Sequence, residues 1–436
     1  MNNKFDVIII GAGPCGIACA HSLLRNGQSV AIIELGRDCK NRICKIDFGD
    51  RCTYCNPCNV MSGFGGCLHY GDAVKVSLYP SGKNLYKKIG EDEYRRLENI
   101  VLNEWNLSEN DFVNRQIEDI GQSFNVKSYP VSVLDGIRLK GLLDGWRCSL
   151  EEQDRFTYIH GCAKEVVSTK DGYEVSIESG RQLICENIVL AVGRMGIEWI
   201  GDICNQYGIN TDMPYPSVGV RFIIPSEALV KIGRMHPDFK IKVERNGIKY
   251  KSFCFCGGEH GGRIKHLNYG RYMLLDGHVL SEQDEKKSHG NFAILRQLSC
   301  DKQQTSALLN DFIESYKNIF DGKTVCERYS DFRSRGGKLY QLYDEYLDEY
   351  CAVAEDVFGF IADFNNMEED QLMKDIQVEG PEVEGMWHRV HSDEFFMVDG
   401  RGMYVGGDCA GETQGVFQAY MIGLRIADGI IGKRVK

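Results

Sequence analysis

No window of this 436-residue chain approaches the ~18 consecutive apolar residues of a membrane-spanning helix. The opening residues, MNNKFDVIIIGAGPCG, lack the basic stretch and long apolar core of a secretory signal. There is no long basic run and the net charge is −11, which weighs against nucleic acid as the main ligand. Cysteine, at 18 residues, stays well under the roughly 8–10% of a disulfide scaffold, and a chain this long needs no such staples. Internal repeats, low-complexity linkers and heptad arrays are missing as well. What remains is a soluble protein, expected in the cytoplasm with reduced thiols and no membrane partner. Its length predicts two or three domains, and an apolar share of 43% excludes a disordered chain.

Phe5 to Ile10 is a short β-branched run followed at once by the glycine-rich GAGPCG. Ile17 to Leu24 then reads as a helix and Ser29 to Glu34 as a second strand, so the chain opens as a βαβ unit. Leu35 to about Gly82 has little period and reads as a long functional loop. Glu91 to Asn103 and Ile137 to Glu152 have helical spacing. From Thr157 short alternating stretches predict a strand meander ending in a buried strand, Asn187 to Val192. Residues 201 to 395 mix strand-like VGVRFIIP and KYKSFCFC with helical SALLNDFIESYKNIF and the acidic stretch Asp344 to Asp370, whose Tyr346, Tyr350, Val353, Val357 and Ile361 fall on one helical face. The end returns to the opening style, with the strand MYVGG, the loop DCAGETQG and a last helix.

Gly11, Gly13 and Gly16 give GxGxxG between a strand and a helix. The first glycine permits the tight turn, the second lets a pyrophosphate approach the backbone, and the third lets helix pack on strand. Pro14 and Cys15 lie inside the same turn. Glu34 ends the second strand 23 residues after Gly11, where a carboxylate accepts hydrogen bonds from an adenosine ribose; Arg37 follows it as a further candidate contact. Two later segments point to FAD rather than NAD. ENIVLAVGR, containing Gly193, resembles the strand-plus-glycine segment that returns to the nucleotide in two-domain flavoproteins. MYVGGDCAG resembles their C-terminal strand, in which the residues at Gly407 and Asp408 bind the cofactor. The helix from Gly415 and Val416 would aim its positive end at the flavin.

RCTYCNPCNVMSGFGG, PSVGVRFIIP, FCFCGGE with SHGNFAIL, and VGGDCAGETQGVFQAYMIGLRIA follow in that order. On these the chain resembles a family of bacterial and archaeal FAD-dependent dehydrogenases, within the flavoprotein group that includes glutathione reductase. That family continues its glycine-rich loop as GGxGxFSDGK, where this chain reads GGCLHYGDAVK. The resemblance implies FAD and a redox role; it names no substrate. No second GxGxxG follows a strand, so NAD(P)H would reduce the flavin by docking transiently, unless a partner protein or the substrate supplies the electrons.

Six cysteines, 39, 44, 52, 55, 58 and 67, crowd 29 residues of the early loop. Three readings stay open there: a metal or iron–sulfur cluster on CxxCxxC, a redox disulfide beside the flavin, and thiols packing a loop poor in large apolar residues. No metal ligands are assigned. GFGG at 63–66, with Gly65 and Gly66, brings backbone toward the cofactor, which makes Cys67 and His69 the candidate catalytic residues. Cys254 and Cys256, two apart on a strand, share a face and either meet a substrate cavity or pack in the core. His260, Arg263 and His266 follow in the same segment. Arg221, Arg333, Arg335 and Arg389 are candidate anchors for an anionic substrate, and His388 and His391 flank Arg389.

The expected architecture is α/β: a Rossmann-type FAD domain assembled from residues 1–200, including the cysteine-rich loop 39–67, and 396–436, with an inserted α+β substrate domain at 201–395. The expected activity is an FAD-dependent oxidoreductase, a dehydrogenase or reductase acting on a small molecule by hydride transfer. The alternatives are an electron-transfer or redox-sensing flavoprotein using the cysteine loop, and a flavin monooxygenase.

Overall fold

The computed structural model describes residues 3–38, 41–69, 73–115, 124–282, 284–299, 301 and 303–434. The opening strand Lys4–Ile10 lies at the centre of a seven-stranded sheet. It pairs in parallel with Val30–Glu34 on one side and with Gln182–Leu190 on the other. Phe156–His160 extends the first side in parallel and Met403–Val405 the second. These five parallel strands are apolar because helices cover both faces; Val7, Ile8, Ile9, Ile32, Ile188 and Val189 are fully enclosed. The meander Ala163–Thr169, Gly172–Ile177 and Gln182–Leu190 is antiparallel. Its last strand is longer at its start than the apolar run 187–192 predicts, because its first half alternates and pairs with the meander while its second half is buried in the parallel sheet.

Both chain ends meet on this sheet. The first helix, Pro14–Arg25, packs on the C-terminal helix, Val416–Arg434, so closely that a Cβ at Gly423 would stand 2.1 Å from the Cys15 carbonyl oxygen. Gly136–Glu151 and Glu91–Glu104 complete this layer through Leu139, Leu143, Trp146, Tyr94 and Leu97. Ile197–Tyr207 lies on the other face with Ile200 and Ile203.

A second seven-stranded sheet runs, in spatial order, Val325–Arg328, Gln377–Glu384, Ser217–Pro225, His289–Gln297, Ile248–Cys256, Lys240–Arg245 and Asn125–Lys127. All its pairings are antiparallel. Alternation places Val218, Val220, Phe222 and Ile224 in one core. There they meet helix Leu347–Asn365, whose Tyr350, Val353, Val357 and Ile361 form its packed face. Asn125–Lys127 joins this sheet from the first part of the chain, so the chain crosses between the sheets more than once. The stretch read as loop from 35 to 82 contains a strand, Val74–Ser77, paired with Val131–Leu134; its brief V-K-V-S alternation is too short to stand out from the sequence. Among the described residues no helix is long and apolar enough to cross a membrane.

Candidate functional site

The turn after the first strand is shaped by two close approaches. Gly11 has φ +105°, and a Cβ there would lie 2.3 Å from the Ala191 carbonyl oxygen; at Gly16 a Cβ would lie 2.1 Å from the Gly11 carbonyl oxygen. Gly13 is the N-cap of the first helix. No side chain caps that end and no acidic residue occupies its first turn, so its N–H groups face outward uncompensated by protein. In front of them is a cleft of about 360 Å³. Gly11, Gly13, Pro14, Cys15, Glu34, Gly66, Gly193, Gly407, Asp408 and Val416 all border it. Gly16, Arg37, Gly65 and Gly415 do not. Gly16 packs helix on strand, Arg37 is exposed, Gly65 lies against Leu143, and the Gly415 N–H donates to Thr413 Oγ1 (3.2 Å).

Glu34 is 5% exposed and organises the cleft wall. Its Oε2 accepts from the Ala12 N–H (2.7 Å), and its Oε1 accepts from the N–H groups of Gly36 (2.7 Å) and Gly63 (2.8 Å). The strand end, the glycine turn and the GFGG segment are thus tied to one carboxylate. Arg42 performs the matching task on carbonyls. Buried, it donates from Nε to Asn59 O (3.0 Å), from Nη1 to Phe64 O (2.6 Å) and Leu68 O (3.1 Å), and from Nη2 to Val60 O (3.3 Å) and Gly66 O.

A second cavity of about 210 Å³ adjoins the cleft; Cys67, Arg194, Asp408 and Val416 border both. Cys254, Lys75, Asp276, His278, Glu382 and Trp387 are among its other walls. The Arg194 guanidinium lies 3.0 Å from Asp276 Oδ2 and 3.8 Å from Asp408 Oδ2. Burial works against the charge of Arg194, but Asp276 and Asp408 outweigh it and keep the side chain protonated. Burial likewise pushes the Asp408 carboxyl up to about 6; Asp276 adds to the rise and Arg194 opposes it.

The residues expected to do chemistry divide. Cys67 reaches both spaces, and burial pushes its thiol up to about 11, so it is protonated near neutrality. His69 borders the second cavity, yet it is 2% exposed, with Nε2 3.0 Å from Arg42 O and Nδ1 3.6 Å from Asp47 Oδ2. Asp47 in turn pairs with Arg263 (3.0 Å) and Lys265 (2.7 Å). These contacts make His69 a pin for the loop.

The arginines expected to anchor an anion have other partners. Fully buried Arg221 forks onto Glu382 (2.7 and 2.5 Å) and reaches Asn291 Oδ1 (2.7 Å). Arg333 pairs with Glu355 (2.5 Å), Arg335 with Asp344 (2.7 Å) and Asp348 (2.9 Å), and Arg389 with Glu412 (3.1 Å). None of the four borders either space: Arg221 is enclosed in the second sheet, and Arg333, Arg335 and Arg389 lie at the surface away from both. His266 contacts Glu379 (2.7 Å), His391 contacts Asp212 (2.8 Å), and neither these nor His260 or His388 reach the cavities.

In the cysteine loop, Cys55 and Cys58 form a close pair. The hydrogen bond from Cys58 draws the Cys55 thiol down to about 6, and the same contact holds Cys58 high. Cys58 packs with Val60, Met61 and Leu267. Neither sulfur borders the two spaces. Among the described residues no group of three or more His, Cys, Asp or Glu side chains is placed to hold a metal; Cys39 lies outside the described residues.

Sequence reasoning singled out Arg221 but not Arg42, Arg194 or Lys75. For Arg194 a signal was present, a basic residue directly after the glycine that ends a buried strand. Arg42 and Lys75 carry none, since the partners of Arg42 are backbone carbonyls within the same loop, which no residue type marks, and those of Lys75 lie far along the chain.

Residues 5–47, the βαβ opening with the start of the loop, match the family described as pyridine nucleotide-disulphide oxidoreductase. Among curated protein sequences none matches. Several solved structures are similar over 99% of this chain. One is a peptidyl tryptophan dihydroxylase, QhpG, essential for tryptophylquinone cofactor biogenesis (12% identity, 68% of that chain, TM-score 0.39). Another is the flavin-dependent brominase Bmp2 (11%, 80%, 0.40). A third is pqsL of Pseudomonas aeruginosa, described as a probable FAD-dependent monooxygenase (11%, 85%, 0.34). At TM-scores this low the likenesses carry neither fold nor chemistry across. The family match covers the βαβ opening and the start of the following loop.

Proposed function

We propose that the protein is an FAD-dependent oxidoreductase acting on a small organic molecule. One observation carries the reading: the cleft at the bare helix N-terminus shares four wall residues, Cys67, Arg194, Asp408 and Val416, with a second cavity in which charged groups stand among apolar walls. A dinucleotide fits the first space. The uncapped first turn suits a pyrophosphate, Glu34 stands at the strand end where an adenosine ribose is read, and Gly407 and Asp408 with the start of the C-terminal helix suit the flavin end. Bound there, FAD would supply a two-electron acceptor and donor, and hydride transfer is the reaction expected of it.

The protein's own groups do the rest. Arg194, charged and held between two carboxylates, orients an acceptor group of the substrate at the mouth of the cavity. Asp408, raised to about 6, can hold or release a proton near neutrality. Residues 201–395 supply most of the cavity wall as the substrate domain. Electrons arrive from NAD(P)H docking transiently or from a redox partner protein. Anaerobic mixing of FAD-loaded protein with NADH or NADPH tests this: bleaching supports a nicotinamide donor, and bleaching only with an added protein reductant supports the partner. Oxygen consumed in step with substrate, with one oxygen atom incorporated into the product and the other released as water rather than both as hydrogen peroxide, would mark a monooxygenase and contradict the proposal.

A further inference from the structure

Cys254 and Cys256 close strand Ile248–Cys256, where pairing with His289–Gln297 shifts register between Phe253 and Cys256. In a regular strand, residues two apart stand about 6.6 Å apart, and their side chains rise in parallel. Here Cys254 takes φ +47°, a region that disfavours side chains other than glycine's, and the two sulfurs come within 3.9 Å. The fold holds this conformation in place. Arg221 Nη1 donates to the Cys254 carbonyl (3.2 Å), and the Cys254 thiol donates to the Gly277 carbonyl (3.1 Å). Lys75 Nζ lies 3.7 Å from Cys254 Sγ and is itself fixed by Asp238 (3.0 Å) and Phe255 O (2.7 Å). Cys254 borders the second cavity; Cys256 is fully buried behind it.

We propose that Cys254 and Cys256 are a redox dithiol opening on the second cavity, with Cys254 the attacking sulfur, Cys256 the resolving one, and a low-molecular-weight disulfide as oxidant. The Cys254 thiolate attacks one sulfur of the incoming disulfide; that S–S bond breaks and the first thiol leaves. Cys256, losing its proton, then attacks Cys254 Sγ and expels the second thiol. The chain loses two hydrogens and two electrons, the small disulfide gains both, and an intrachain disulfide remains. The assignment of roles follows access, since only Cys254 faces the cavity, and local charge. Cys256, Lys75 and Arg221 draw the Cys254 thiol below its ordinary range against burial and Asp276, and burial holds Cys256 high. Among the described residues, Glu382 and Tyr129 also face it. The exchange needs no flavin, so it stands or falls apart from the cofactor reading.

The test uses the full chain, reduced and then treated with 2-hydroxyethyl disulfide, acid-quenched, digested with trypsin and mapped by mass. Cleavage after Lys251 and Arg263 yields Ser252–Arg263, which contains both cysteines and no others. The expected result is this peptide two hydrogens lighter, at a rate about tenfold or more above mixed-disulfide formation at the exposed Cys148. Cys256→Ser should instead accumulate a mercaptoethanol adduct on Cys254, and Cys254→Ser should leave Cys256 unmodified. A wild-type Ser252–Arg263 peptide that stays a dithiol while Cys148 reacts would overturn the proposal, and so would modification of Cys256 ahead of Cys254. The wild-type map decides even if a variant fails to fold.

Discussion

Valine placed at Gly13 separates cofactor binding from folding, because this glycine alone of the GxGxxG three has room. Its φ is −77° with extended ψ, a conformation any residue adopts, and a Cβ would find its nearest neighbour, Gly66 Cα, at 3.9 Å. The cost to the cofactor-free fold is therefore that of a poor N-cap, about 1 kcal/mol. The isopropyl group, however, projects into the cleft in front of the bare N–H groups. Loss of two charge-assisted hydrogen bonds of about 1.5–3 kcal/mol each amounts to roughly 3–6 kcal/mol, or about 10²- to 10⁴-fold in FAD affinity. Gly16→Val behaves differently: its Cβ would stand 2.1 Å from the Gly11 carbonyl oxygen, so it should destabilise the cofactor-free protein itself by about 3 kcal/mol, seen as a lower melting temperature. Fluorescence titration with FAD, beside thermal melts of both cofactor-free variants, reads the two effects separately. Unchanged FAD affinity in Gly13→Val, with the fold intact, would refute the placement of the pyrophosphate.

Three further outcomes are expected. Asp408→Asn should stabilise the cofactor-free protein at pH 8 by at most about 3 kcal/mol. A carboxyl raised to about 6 in the fold binds its proton more tightly folded than unfolded, so its penalty is present above about pH 6 and disappears as pH falls below about 4; melts across that range check it, and a pH-independent gain would count against the cause. Arg221→Met should destabilise by about 3–5 kcal/mol by stranding buried Glu382, and adding Glu382→Met should recover most of it, as denaturant midpoints would show. Arg42→Lys keeps the charge but not the fork to five carbonyls; it should cost about 2–3 kcal/mol and quicken limited proteolysis between residues 59 and 68.

The parts of the fold legible in the sequence are those whose signals are local. The βαβ opening shows in a β-branched run, three spaced glycines and Glu34, and the helix 347–365 shows in the spacing of Tyr350, Val353, Val357 and Ile361. What could not be read depends on partners distant in the chain. Lys75 meets Cys254 across 179 positions and Arg221 meets Glu382 across 161, and no periodicity encodes such pairs. Arg221 looked like a substrate anchor because an arginine in a strand gives no sign of the carboxylate opposite. His69 follows the GFGG segment as a reactive group would, but Arg42 and Asp47, brought round by the loop, engage its ring. The closeness of Cys254 and Cys256 depends on a register shift and one residue with positive φ, neither of which alternation can foretell.

The most direct measurement is the cofactor itself. The full-length protein, incubated with FAD, desalted and denatured, should release close to one FAD per chain, identified by chromatography against FMN and riboflavin. Release of no flavin, or of FMN alone, from a natively folded sample would contradict the assignment of the cleft to FAD.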